Sequence, residues 1–176
     1  MKLNHARVIL TMLLGCFMLV GQRASASRWT AVASTCAIGV DQVGDAGIYA
    51  ITGGSAITFS DSNTGEIKTR CNVTNPLDSG VPTWNTLTVG YQDPDGSSPS
   101  LTYQVTVTLY RVGKSTGNYS TVAIFDSGSF ADKVATSHSV TFSHTFDFTN
   151  YAYWVTLDLV RNDSTKNPSV WFVGLN

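Results

Sequence analysis

Three aromatic residues stand where a strand would present polar side chains. Trp84 has the parity of Thr86 and Thr88, Tyr110 that of Thr106 and Thr108, and Trp154 that of Thr156 and Asp158. Residues two apart in a strand share a face, so each ring would sit among hydroxyls on the outward side of a sheet. Such a surface has the chemistry of a glycan platform. The ring covers the apolar face of a pyranose while its neighbours hydrogen-bond the sugar hydroxyls. The same pattern also arises from rings at strand ends covered by loops, or from cross-strand Trp–Thr packing. Trp84, Tyr110 and Trp154 are the candidate ligand-binding residues.

Asp93-Pro94-Asp95-Gly96 sets two carboxylates one residue apart, oxygen ligands of the kind calcium takes. Asp93 and Asp95 are the candidate calcium ligands. No glutamate follows at EF-hand spacing, so Asp41, Asp45 or Asp78 from other turns would have to complete the shell. Pro-Asp-Gly is equally a sufficient turn signal. His138 and His144 share one parity, but six residues of extended strand hold them about 20 Å apart, beyond the reach of one metal ion. Asp147 has the opposite parity to His144 and cannot orient it within one flat strand. No serine lies in a Gly-x-Ser-x-Gly elbow. A hydrolase built on either histidine therefore needs a carboxylate from another strand. Gly113-Lys114-Ser115-Thr116 has the ending of a phosphate loop, yet Thr108 stands where the first glycine belongs, and Gly117-Asn118 stops the helix that must follow. That segment reads as a hairpin turn.

The elements that position these residues are strands. Period-two alternation is strong over 101–109, 138–148 and 151–159, and weaker over 57–59, 67–73, 87–91, 122–125 and 170–175. Turn residues separate the segments: Gly53-Gly54, Asn63-Thr64-Gly65, Asp78-Ser79-Gly80, Asp93 to Gly96, Gly113 to Asn118 and Asp126-Ser127-Gly128. Eleven alternating residues at 138–148 are long for one strand and predict a bend or a sheet crossing. About eight short strands with one polar face predict an all-β fold, an antiparallel two-sheet β-sandwich of jelly-roll or immunoglobulin-like type. A closed barrel is the alternative.

Residues 1–26 read as a signal peptide: Lys2 and Arg7, an apolar run through Val20, then Ala24-Ser25-Ala26 before the cleavage point at Ser27. Leu13-Leu14-Gly15-Cys16 loosely fits a lipoprotein box, but the apolar run continues past Cys16. Residues 27–176 are expected to form a single exported domain, secreted, periplasmic or at the cell surface, with no transmembrane segment. Without the leader the chain holds eight Lys+Arg against 12 Asp+Glu, net −4, which argues against nucleic acid as a partner. Glu66 is the one glutamate, and runs of Ala, Leu, Glu and Lys are missing, so long helices are not expected. Cys36 and Cys71 then form an isolated pair in an oxidising compartment and predict a disulfide.

Several short stretches together resemble a group of small secreted bacterial β-sandwich proteins of unassigned function. They are Cys36, Gly47-Ile48, Ile67 through Arg70-Cys71-Asn72-Val73, Leu87-Thr88-Val89-Gly90-Tyr91-Gln92-Asp93 and the Tyr153-to-Leu159 segment. The resemblance implies the fold and export, and brings no catalytic residue with it. The Cys36–Cys71 spacing also resembles that of chaperone–usher pilins, which implies strand donation between subunits. Here Leu175 stands at the pilin's penultimate tyrosine and Asp163-Ser164-Thr165 near its glycine. The expected function is a non-enzymatic surface or envelope interaction module, with glycan or protein as partner. A self-assembling pilin-like subunit and a secreted hydrolase are the alternatives.

Overall fold

The computed structural model describes residues 28–38, 47–77, 80–98 and 102–176. The leader 1–26, its cleavage point, and Asp41, Asp45 and Asp78 lie outside them. The described residues form eleven strands: β1 (Trp29–Val32), β2 (Ala37–Ile38), β3 (Tyr49–Thr52), β4 (Ala56–Phe59), β5 (Gly65–Val73), β6 (Thr86–Gln92), β7 (Tyr103–Gly113), β8 (Tyr119–Asp126), β9 (Thr136–Thr141), β10 (Tyr151–Arg161) and β11 (Ser169–Leu175). Helix among the described residues is confined to two 3-10 turns at Ala33–Thr35 and Ser127–Ser129. No described helix is long and apolar enough to cross a membrane.

Two antiparallel sheets result, as the alternation predicts. The first runs β3-β4-β11-β6-β9, with β1 also on β11, and the second runs β2-β5-β10-β7-β8. Each strand turns its apolar parity inward. Ile67, Val105, Val107, Leu109, Val155, Leu157 and Leu159 of the second sheet meet Ile57, Leu87, Val89, Val170, Val173 and Leu175 of the first, and all are fully buried. Each such aliphatic side chain contributes about 1.5–3 kcal/mol by leaving water. Gly53 and Gly54 take φ of 58° and 74° in the turn between β3 and β4, a left-handed backbone that a side chain would oppose.

The predicted interruption of 138–148 is real. β9 ends at Thr141, and the Phe142 N–H adds one further in-register bond, to the Asn85 carbonyl at 2.8 Å, beyond the strand's end. The disulfide between Cys36 and Cys71 forms, with Cα atoms 4.5 Å apart. It ties the start of β2 to β5 beside the Ala37–Arg70 pairing. Closing a loop of 35 residues contributes about 4 kcal/mol in the chain-entropy account. Arg161 is a buried cation, and its guanidinium donates to the carbonyls of Asp61, Asn63, Ser164 and Lys166, so its charge enters the interior hydrogen-bonded.

Candidate functional site

The outward parity of the second sheet carries the chemistry. β10 is central there, flanked by β5 and β7. Its register sets Trp154 between Asn72 and Tyr110, Thr156 between Arg70 and Thr108, and Asp158 between Lys68 and Thr106. Directly opposed side chains in an antiparallel pair are close enough to touch. Tyr110 and Trp154 accordingly stack, centroids 5.1 Å apart and planes 18° from parallel. Tyr119, the first residue of β8, sets its edge against Tyr110 at 6.0 Å and lies 6.3 Å from Trp154. A register shift between Leu109 and Tyr110 in the β7–β8 ladder brings Tyr119 to this position.

Lys68, Thr69, Arg70, Tyr110, Tyr119, Trp154, Thr156 and Asp158 line a depression of about 480 Å³. Lys68 pairs with Glu66 at 2.9 Å. The Arg70 side chain makes no ion pair or hydrogen bond among the described residues. Burial pushes the Asp158 carboxyl up to about 6, against the pull of Lys68. Rings and cationic side chains thus face one open surface, with the Thr156 hydroxyl and one Asp158 carboxylate oxygen buried in its floor.

Of the three predicted ligand residues, Tyr110 and Trp154 meet in this face. Trp84 does not, and its assignment is corrected. It is 1% exposed and packs edge-on against Phe146 at 4.9 Å and Phe148 at 6.3 Å. The reason is local. β6 begins only at Thr86, and the N–H groups of Asn85 and Thr86 both donate to the Asn176 carbonyl, which breaks the alternation just after Trp84. Parity read back from Thr86 and Thr88 therefore does not reach it. Tyr119 is the ring that sequence reasoning missed.

Asp93 and Asp95 act as fasteners. Asp93 is fully buried, and its Oδ2 accepts from the Ser127 hydroxyl at 2.5 Å. The Asp95 N–H donates to Asp93 Oδ1, while Asp95 Oδ2 accepts from the N–H groups of Thr102 and Tyr103. Burial, with the Asp95 carboxyl beside it, pushes Asp93 up to about 6. Among the described residues no group of three or more His, Cys, Asp or Glu could hold a metal ion. Three of the four carboxylate oxygens of this pair face N–H or O–H donors.

His138 Nε2 lies 2.7 Å from Asp132 Oδ2, and its ring stacks on Phe130 at 4.1 Å. His144 Nε2 meets the Tyr153 hydroxyl at 3.1 Å within an aromatic cluster that includes Phe146. Burial lowers its pKa, with Arg111 adding to the effect. Among the described residues no serine, threonine or cysteine side chain bonds either imidazole. The Asp147 carboxylate is occupied by Thr149 and Asn150. The 113–118 segment is a hairpin turn, closed by the Gly113 N–H on the Asn118 carbonyl at 2.9 Å.

No protein-family model matches the chain, and no curated protein does. Among solved structures it is similar to the CBM36-1 domain of a multidomain xylanase from the hindgut metagenome of Trinervitermes trinervoides. The TM-score is 0.46 at 10% identity, over 85% of this chain and 97% of that one. A carbohydrate-binding module, CBM36, in complex with calcium and xylotriose gives 0.46 at 14% identity, over 85% and 99%. TmCBM61 in complex with beta-1,4-galactotriose gives 0.39 at 10% identity, over 85% and 88%. Likenesses this weak say nothing about a ligand.

Proposed function

We propose that this chain is an exported, non-catalytic glycan-binding module whose ligand face is the outward surface of β5, β10, β7 and β8. The observation that supports it most is the stacked Tyr110–Trp154 pair with Tyr119 beside it, set among Lys68, Arg70, Thr156 and Asp158. Flat rings offer apolar area at little conformational cost, and the surrounding donors and acceptors match sugar hydroxyls in both senses. The Cys36–Cys71 disulfide agrees with an oxidising compartment and so with the leader-like sequence. Strand exchange through the last strand finds less support, because β11 already pairs with β6 on one side and with β4 and β1 on the other.

The test is affinity electrophoresis against a broad polysaccharide panel, with wild type and Trp154→Ala compared at a temperature where both are fully folded. Retardation by at least one polysaccharide, abolished in Trp154→Ala, is the expected result. Equal retardation of both proteins would move the site elsewhere, and none across the panel would end the glycan reading. Running each lane with and without calcium tests Asp93 and Asp95. Calcium dependence would require that pair to exchange its hydrogen bonds for the ion.

A further inference from the structure

We infer that the face holds the interior of a linear glycan chain, laid along the seam between β5 and β10 with Arg70 gripping it at the middle. This rests on the glycan reading above and narrows it to a class of ligand. A second depression, of about 300 Å³, is lined by Arg70, Asn72, Val112, Ala152, Tyr153 and Trp154. It shares Arg70 and Trp154 with the larger one, so the two are neighbours along one line rather than separate sites.

The line follows the strands. Outward side chains alternate as Lys68, Arg70 and Asn72 on β5 and as Asp158, Thr156, Trp154 and Ala152 on β10, paired by register. From Asp158 to Ala152 is six residues of strand, about 20 Å. Every described residue lining either depression belongs to β5, β7, β8 or β10. Among the described residues the groove has a sheet for a floor and no loop residue for an end wall. A site that recognises a chain terminus needs such a wall; a site without one leaves both ends of its ligand free to continue.

Within the groove, one face of Trp154 is taken by Tyr110 on the β7 side, which leaves the other turned toward β5. A sugar against that face lies within reach of Arg70, the diagonal neighbour of Trp154. Arg70 carries five N–H donors that no described residue uses. It is the charged residue common to both depressions, so it contacts the chain where the two meet.

The experiment is calorimetry with oligosaccharides of increasing length, cut from a polysaccharide that retards the protein, each also tested with its reducing end converted to the alditol. Affinity rising over the first several sugars, then levelling, with no effect of end reduction, is the expected result. Arg70→Ala should lower affinity about tenfold with unchanged thermal stability, the scale of losing hydrogen bonds from a charged donor. Full affinity for a mono- or disaccharide, loss of binding on end reduction, or an Arg70→Ala protein of wild-type affinity would each overturn the inference and leave the glycan reading standing. Absence of binding to any polysaccharide would overturn both.

Discussion

Two aromatic clusters in this molecule have almost the same sequence setting and opposite fates. Trp84 precedes an alternating Thr-x-Thr segment and lies inside, edge-on to Phe146 and Phe148. Trp154 precedes Thr156 and Asp158 and lies outside, stacked on Tyr110. Neighbouring composition does not separate them. What does is the hydrogen-bond ladder: Trp154 is inside β10 and paired on both sides, whereas Trp84 sits two residues before β6 begins. Parity is a property of a paired strand and lapses where pairing stops.

The widest difference should appear in stability. Trp84→Ala removes a fully buried ring from the core and should cost about 3–5 kcal/mol. Trp154→Ala removes a stacked surface ring and should cost about 1 kcal/mol. Equilibrium denaturation of the two proteins measures both. Comparable losses would mean that the outer cluster is a structural core of its own, and would break the contrast.

Inside and outside also differ in how they answer pH. Asp93 is buried against Ser127, and Asp158 lies on the outward face; both carboxyls sit at about 6, raised first by burial. A raised carboxyl favours the protonated form in the folded state. The native state therefore binds more protons than the unfolded chain between about pH 4 and 6, and stability falls as pH rises through that window. A displacement from 3.8 to about 6 corresponds to a ceiling of about 3 kcal/mol for a fully enclosed group, and Asp158 should contribute the smaller part because solvent reaches its face. His144, with its pKa lowered, works in the opposite sense as pH rises toward its ordinary value. The thermal midpoint should be higher at pH 4.5 than at pH 7.5. Asp93→Asn should flatten that slope more than Asp158→Asn. A wild-type midpoint that climbs with pH across this range would contradict the assignment.

The alternation that placed eight strands in the sequence corresponds to β4 through β11. β1, β2 and β3 escaped it because they are two to four residues long, and β1 and β2 owe their state to distant partners. β1 exists because Leu175, Gly174, Val173 and Phe172 pair with it from the far end of the chain. The same limit applies to the site. Tyr110 and Trp154 were legible as outward rings, but alternation gives faces and not neighbours, so nothing in the sequence said that they would touch. Lys68 and Arg70 were outward residues of a predicted strand with no known partner strand. The carboxylates of Asp93-Pro94-Asp95-Gly96 were legible as a turn, and the burial of Asp93 against Ser127 was not, because it joins residues 34 apart in sequence.

Tyr119 is the finest test of the outer cluster, since its place depends on the register shift in the β7–β8 ladder. Its ring is 71% exposed and touches its neighbours by edge, so Tyr119→Ala should change stability by no more than about 0.5 kcal/mol. If the ring belongs to the ligand face, the same change should weaken polysaccharide binding severalfold, while Tyr119→Phe, which keeps the ring, should retain most of it. Binding by both variants at wild-type strength would confine the platform to Tyr110 and Trp154. Equal loss in both would instead assign the work to the hydroxyl. The three outcomes separate stacking, hydrogen bonding and mere proximity, because the two substitutions share a backbone, an edge position and a near-absent stability cost.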